Sequence, residues 1–182
     1  MSEKTIAVLV GSLRKDSYNR QLADALATMA PAGWQLKQSR IDDLPHYNQD
    51  NDANPSESLL RLKSEISAAS GVIFVIPEYN RSVPGVLKNA IDLGSRPYGK
   101  SVWAGKPAGV IGASIGAIGT AIGQQHLRNI LAYLDMPTLG QPEAFIHAKE
   151  GLFQADGQIG EASRTFVQGW LDAYIAWVKR HA

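Results

Sequence analysis

Residues 11–17 read Gly-Ser-Leu-Arg-Lys-Asp-Ser, a turn rich in hydroxyls with one guanidinium and one ammonium group. That mixture suits a phosphate, because arginine and hydroxyl donors match its oxygens with charge-assisted hydrogen bonds. The flanks suit it too. Residues 6–10 form a continuous apolar run with β-branched side chains, which predicts a strand buried on both faces. Residues 18–29 place Leu22, Ala23, Leu26 and Ala27 at helical spacing. A strand that turns directly into a helix aims the helix's first free N–H groups and its positive dipole end at the turn. The spacing is not that of a P-loop, since no Gly-Lys pair follows, nor of GxGxxG, since Leu13 stands where the second glycine belongs. A plain helix cap from Ser17 or Asn19, with Arg14 and Lys15 solvated, explains the same residues.

Two further loops carry unusual chemistry. Residues 77–85 read Pro-Glu-Tyr-Asn-Arg-Ser-Val-Pro-Gly. Two prolines fix the backbone direction, so its amides and Asn80 form a rigid row of donors and acceptors. Such a row matches the edge of a flat heterocycle such as isoalloxazine, with Tyr79 packed on or beside the ring. A stiff turn with Glu78 solvated is the plainer alternative. Residues 112–119 read Gly-Ala-Ser-Ile-Gly-Ala-Ile-Gly, where few side chains block a close approach and Ser114 offers one hydroxyl. For Gly119 and Gly123, tight helix–sheet packing explains the glycine equally well.

The elements that must position these loops alternate along the chain. After the first strand and helix come a weak edge strand over residues 34–40 and a polar stretch over 42–54, read as a loop at the active end or a disordered excursion. A helix is expected to start with Asn54 as cap and Pro55 in its first turn, burying Leu59, Leu62, Ile66 and Ala69. Residues 72–76 are the strongest strand and 84–94 a helix. Residues 108–111 make a fourth strand that turns at Gly112, and 120–134 a helix. Residues 144–146 are the last strand, and 152–160 a small hairpin or loop. Residues 163–181 form a final helix whose stripe is Phe166, Val167, Trp170, Tyr174, Trp177 and Val178.

Five β–α repeats predict an α/β fold with a parallel sheet, right-handed crossovers and helices on both faces. Five strands with a phosphate-type turn after the first suggest a flavodoxin-like order, 2-1-3-4-5, over a single domain spanning residues 1–182. Ligands of such sheets sit beyond the carboxyl ends of the strands, where all three loops converge. That convergence favours the phosphate reading over the cap.

Composition narrows the partners. With 182 residues, 45% of them apolar and 19% charged, the chain has the make-up of a globular domain. A net charge of +1 and no long basic run give no field for nucleic acid or a membrane surface. The absence of cysteine rules out thiolate metal sites, iron–sulfur clusters and a thiol nucleophile. It fits a reducing compartment, and with no secretory signal a cytoplasmic location is expected. Residues 107–125 carry no charge, but their glycines and leading proline predict a strand, a loop and a helix start, not a membrane span. No metal site is expected.

Together, Gly11-Ser12-Leu13-Arg14-x-x-Ser17-x-Asn19 and Pro77-Glu78-Tyr79-Asn80-x-Ser82-x-Pro84-Gly85-x-Leu87-Lys88-Asn89-Ala90-Ile91-Asp92 resemble the NADPH-dependent FMN reductase family, and within it bacterial quinone and chromate reductases. The likeness runs nearly end to end. It implies that Ser12, Leu13, Arg14, Ser17, Tyr18 and Asn19 belong to the FMN phosphate site. It implies that Pro77, Glu78, Tyr79 and Asn80 contact the isoalloxazine, with Ser114 a flavin contact after the fourth strand. It also implies a homodimer or homotetramer with flavin near a subunit interface.

The expected activity is transfer of two electrons from NADPH or NADH through flavin N5 to quinones, by a ping-pong mechanism. Chromate and azo compounds are further candidate acceptors. The cofactor carries the chemistry, so no side chain is assigned as catalytic. His46, His126, His147 and His181 lie in no motif and are expected to be structural or solvated. Arg96, after the third helix, is a candidate for a nicotinamide phosphate or anionic acceptor, or simply a helix C-terminal cation. A flavodoxin-type carrier without nicotinamide turnover is an alternative, though carriers tend to be strongly acidic. A non-enzymatic module for another phosphate ligand is another.

Overall fold

The apolar run near the N-terminus is the strand β1 (Lys4–Val10). Its side chains alternate between two cores. Ile6, Val8 and Val10 face one, with Leu22, Leu26 and Trp170, while Ala7 and Leu9 face the other, with Leu62, Leu87 and Leu127. The remaining elements of this computed structural model, which describes residues 3–181, are α1 (Tyr18–Thr28), β2 (Trp34–Gln38), α2 (Glu57–Ala68), β3 (Gly71–Val75), α3 (Gly85–Gly94), β4 (Ala108–Ser114), α4 (Ala121–Tyr133), β5 (Ala144–His147) and α5 (Glu161–His181). Met1, Ser2 and Ala182, part of the expected 1–182 unit, lie outside the described residues.

All strand pairs are parallel, in the order β2-β1-β3-β4-β5. This is the expected flavodoxin-like order. The first core lies under α1 and α5, the second under α2, α3 and α4, so both faces are covered. The uncharged stretch at 107–125 is β4, a loop and the start of α4. Among the described residues, no helix is long and apolar enough to cross a membrane.

Three local expectations are corrected. The cap of α2 is Ser56, whose Oγ accepts from the Leu59 N–H at 3.2 Å; Asn54 and Pro55 precede it. Pro55 suits an extended entry as well as a first helical turn, and the next residue supplies a hydroxyl acceptor. β4 does not turn at Gly112 but runs on to Ser114, because β5 pairs with it through Gly112↔Phe145 and Ser114↔His147. Gly112 is a packing glycine: a Cβ there would overlap the Ile76 carbonyl oxygen and Thr120 Oγ1. Phe166 is exposed, outside the buried stripe of α5 formed by Val167, Trp170, Tyr174 and Val178.

Finally, the polar stretch at 42–54 is an ordered loop carrying a short 3-10 turn, Gln49–Asn51. Asn89 of α3 pins it from both sides of its amide. Its Oδ1 accepts from Tyr47 N–H at 2.8 Å and its Nδ2 donates to the Pro45 carbonyl at 2.9 Å.

Candidate functional site

The carboxyl ends of β1, β3 and β4 open into one cleft of about 220 Å³. Its three walls are the three loops singled out above. Ser12, Arg14, Ser17, Tyr18 and Asn19 line it from the first, Pro77, Glu78 and Tyr79 from the second, and Ser114 from the end of β4. Ala113 and Ile115 also line it. Neither was singled out as a site residue; the one available sign was an isoleucine inside a glycine-rich loop.

The first loop has the donors that an anion needs. Among the described residues, no main-chain N–H from residues 12–18 donates a hydrogen bond within the chain. Seven consecutive amides without a partner, leading into a helix N-terminus with its positive dipole end, leave donors for an anion. Ser12 is a buried residue whose hydroxyl makes no hydrogen bond among the described residues. Arg14 folds over the turn, donating from Nε and Nη2 to the Asp16 carbonyl, with its guanidinium 5.5 Å from the Tyr18 ring centroid. Its Nη1 remains free among the described residues. These residues fit a phosphate.

Two polar residues of this loop have other duties. Ser17 caps α1, accepting from the N–H groups of Asn19 at 3.2 Å and Arg20 at 3.3 Å. Cap and phosphate site therefore coexist: the capping bonds use N–H groups one and two residues past the free array. Asn19 is buried, and its amide is spent on β4, Nδ2 donating to the Ala113 carbonyl and Oδ1 accepting the Ala113 N–H, both at 2.9 Å. Its side chain thus ties α1 to β4.

The second loop is a tight two-residue turn. Tyr79 and Ser82 exchange both main-chain hydrogen bonds, at 3.2 and 3.0 Å, with Asn80 at φ 51° and Arg81 at φ 63°. Two left-handed residues in succession make the turn type that favours Asn-Gly, so Asn80 serves the backbone. Its side chain does not line the cleft, and neither does that of Leu13, which is half exposed beside Arg20 and Asp42. Tyr79, half exposed, stands at the cleft wall.

The Glu78 side chain is not solvated; only 7% of it is exposed. Its Oε2 accepts from the first-turn N–H groups of α4, Ile122 at 3.0 Å and Gly123 at 2.9 Å, while Oε1 meets Arg81 Nη1 at 3.0 Å. Burial pushes its pKa up, but the Gly123 N–H and Arg81 pull it down, and the net direction is downward. A lowered folded-state pKa means stability that is complete above the ordinary glutamate range and lost as pH falls through the folded value. Glu78→Gln is therefore expected to reduce the acid sensitivity of the fold. Urea unfolding at neutral and acidic pH checks this, and an unchanged pH dependence would refute it.

Arg96 lies elsewhere. α3 begins beside the cleft and runs away from it for about 15 Å, and Arg96 lines a separate cavity with Tyr47, Lys63 and Leu93 that shares no residue with the cleft. Its guanidinium stands 5.8 Å from the Tyr47 ring centroid. Within one chain the structure does not bring it to the site. Of the histidines, His126 Nδ1 lies 3.1 Å from Ser82 Oγ and His147 Nε2 lies 3.1 Å from the Ile115 carbonyl oxygen. Both hold loops of the site from outside.

The family model for NADPH-dependent FMN reductase matches residues 5–151. A 2-hydroxy-1,4-benzoquinone reductase from a Burkholderia species is 51% identical over 175 residues, covering 96% of each chain. A quinone reductase from Pseudomonas putida is 49% identical over 176 residues, covering 96% of this chain and 95% of that one. Among solved structures, the flavoenzyme NAD(P)H:(acceptor) oxidoreductase FerB from Paracoccus denitrificans superposes with a TM-score of 0.94 at 46% identity, covering 98% of both chains.

Proposed function

The chain belongs to the NADPH-dependent FMN reductase family, an oxidoreductase family that works with FMN and NAD(P)H, and from that premise we propose that residues 1–182 form one FMN-binding unit that reduces quinones. The observation that carries this reading is the array of unspent amides at residues 12–18, set in the same cleft as Tyr79. When bound there, FMN supplies hydride acceptance from a reduced nicotinamide and two-electron delivery to a quinone.

The chain's own residues do the rest. The 12–18 amides, the Ser12 hydroxyl and Arg14 hold the phosphate. Ser17 and Tyr18 shape that end, Ser17 by capping α1. Asn19 contributes by fixing α1 to β4. Pro77, Glu78, Tyr79 and Asn80 form the ring-side wall through a backbone held rigid by Pro77 and by the turn. Ser114 adds a hydroxyl opposite them.

No acid or base is needed, so acceptors are selected by access and redox potential. Small benzoquinones, including hydroxylated ones, are the proposed substrates, on the strength of the Burkholderia relative's name. Chromate and azo compounds belong in the same test panel. Nicotinamide and quinone would use one open cleft in turn, which predicts ping-pong kinetics. Assembly as a homodimer or homotetramer is part of the proposal, supported by exposed apolar Tyr79, Ile115, Ile118 and Ile122 on the second and third loops and the start of α4.

Steady-state turnover of FMN-loaded protein with NADH, NADPH and a quinone series tests the reading. Parallel double-reciprocal lines are expected. Converging lines would reject the alternating use of the cleft, and the absence of turnover would reject the activity.

A further inference from the structure

The carboxylate of Glu78 joins two walls of the cleft that come from different parts of the chain. The Tyr79–Ser82 turn follows β3, whereas the 115–119 loop follows β4 and leads into α4. Glu78 Oε2 takes the N–H groups of Ile122 and Gly123, which belong to α4, while Oε1 holds Arg81 within the turn. A second tie runs parallel to it, from Ser82 Oγ to His126 Nδ1 at 3.1 Å. The approach is close: a Cβ added to Gly123 would stand 3.1 Å from the Ser82 carbonyl oxygen and 3.4 Å from Glu78 Cγ. Both oxygens of the carboxylate are thus engaged by protein donors.

We propose that Glu78 is a positioning residue: by bracing the Tyr79 turn against the N-terminus of α4, it fixes the spacing between the ring-side walls of the cleft without itself touching flavin. The inference rests on the FMN reading given above. Its consequence is specific to one end of the ligand. On that reading the brace belongs to the ring-side loops and makes no bond to the 12–18 turn, so its loss weakens whatever binds by the ring and leaves the phosphate's share intact.

Riboflavin, which lacks the phosphate, separates the two ends. The test measures FMN and riboflavin affinity, kcat and quinone KM on full-length protein carrying Glu78→Ala, Glu78→Gln or Glu78→Asp, with Arg14→Ala as reference. Glu78→Ala, which removes all three bonds, is expected to weaken FMN and riboflavin by the same factor, about 10-fold, because the effect on the ligand is indirect. Arg14→Ala should weaken FMN alone. Glu78→Gln keeps an oxygen for the two amides, while the exposed Arg81 can turn to water, so affinity should stay within about threefold of wild type. Glu78→Asp keeps the charge but is one methylene too short and should resemble alanine, with a raised quinone KM.

Should Glu78→Ala fail to fold, the Gln–Asp contrast decides. An intact Asp variant with an impaired Gln variant would mean that charge matters and reach does not, and would overturn the proposal. Unchanged riboflavin affinity in the Ala variant would do the same. Wild-type protein that binds neither flavin would defeat the cleft reading first and this inference with it.

Discussion

Replacing Asn19 with alanine is expected to destabilise the protein by about 2–4 kcal/mol, because it orphans a buried N–H and a buried C=O at once. The ladder between β3 and β4 ends at Val75↔Ile111, with one last bond from the Ile76 N–H to the Ile111 carbonyl. The next residue on the β3 side is Pro77, which has no N–H. Ala113, two residues on along β4, would therefore present a donor and an acceptor with no strand opposite. The Asn19 amide supplies a matched acceptor and donor, both at 2.9 Å, and stands in for the missing strand. A loss of this size is a large fraction of a total stability of about 5–15 kcal/mol. Chemical denaturation checks it: the midpoint should fall with the slope unchanged. A change below about 0.5 kcal/mol would show that the bridge contributes little. Asn19→Asp should also destabilise, since it loses the donor and brings a charge into a buried position.

The second large effect falls on ligand affinity. Arg14→Ala is expected to weaken FMN binding roughly 10- to 150-fold, the equivalent of one charge-assisted hydrogen bond worth about 1.5–3 kcal/mol. Folding stability should barely move, because the guanidinium is exposed and its bonds to the Asp16 carbonyl are local. Arg14→Lys should recover part of the affinity, since lysine keeps the charge but not the planar fork. Titration of each apoprotein with FMN gives the answer, and an unchanged affinity in the alanine variant would remove Arg14 from the phosphate site.

The two residues also show what the sequence makes legible. Arg14 stands out locally as a guanidinium in a strand-to-helix turn, and it does line the cleft. Asn19 has the same appearance in the sequence as a cap or a phosphate ligand, because its true partner is Ala113, 94 positions away. Glu78 is a parallel case, its partners being amides at Ile122 and Gly123. Strand and helix placement followed from periodicity because burial on a sheet face or helix face leaves a regular pattern, and the strand order followed from the β–α alternation with a phosphate-type turn after the first strand. Partners brought together by tertiary packing leave none.

Boundaries were least legible where two signals compete. Asn54-Pro55 and Ser56 are all good helix-start residues, and which one caps α2 depends on where the 42–54 loop releases the chain. Gly112 reads as a turn, yet it lies in β4, because its lack of a side chain serves contact with Ile76 and Thr120. Arg96 follows α3, and the direction of that helix carries it, within one chain, to the cavity beside Tyr47, which a sequence reading of either a ligand contact or a helix C-terminal cation does not distinguish.

A crystal structure of the protein with FMN bound tests the central claim most directly. The account predicts the phosphate on the amides of residues 12–18 with Arg14 turned onto it, and the ring between Tyr79 and the 113–115 segment. Flavin seated in the cavity beside Tyr47 and Arg96, or a phosphate remote from the Ser12 amide, would contradict it.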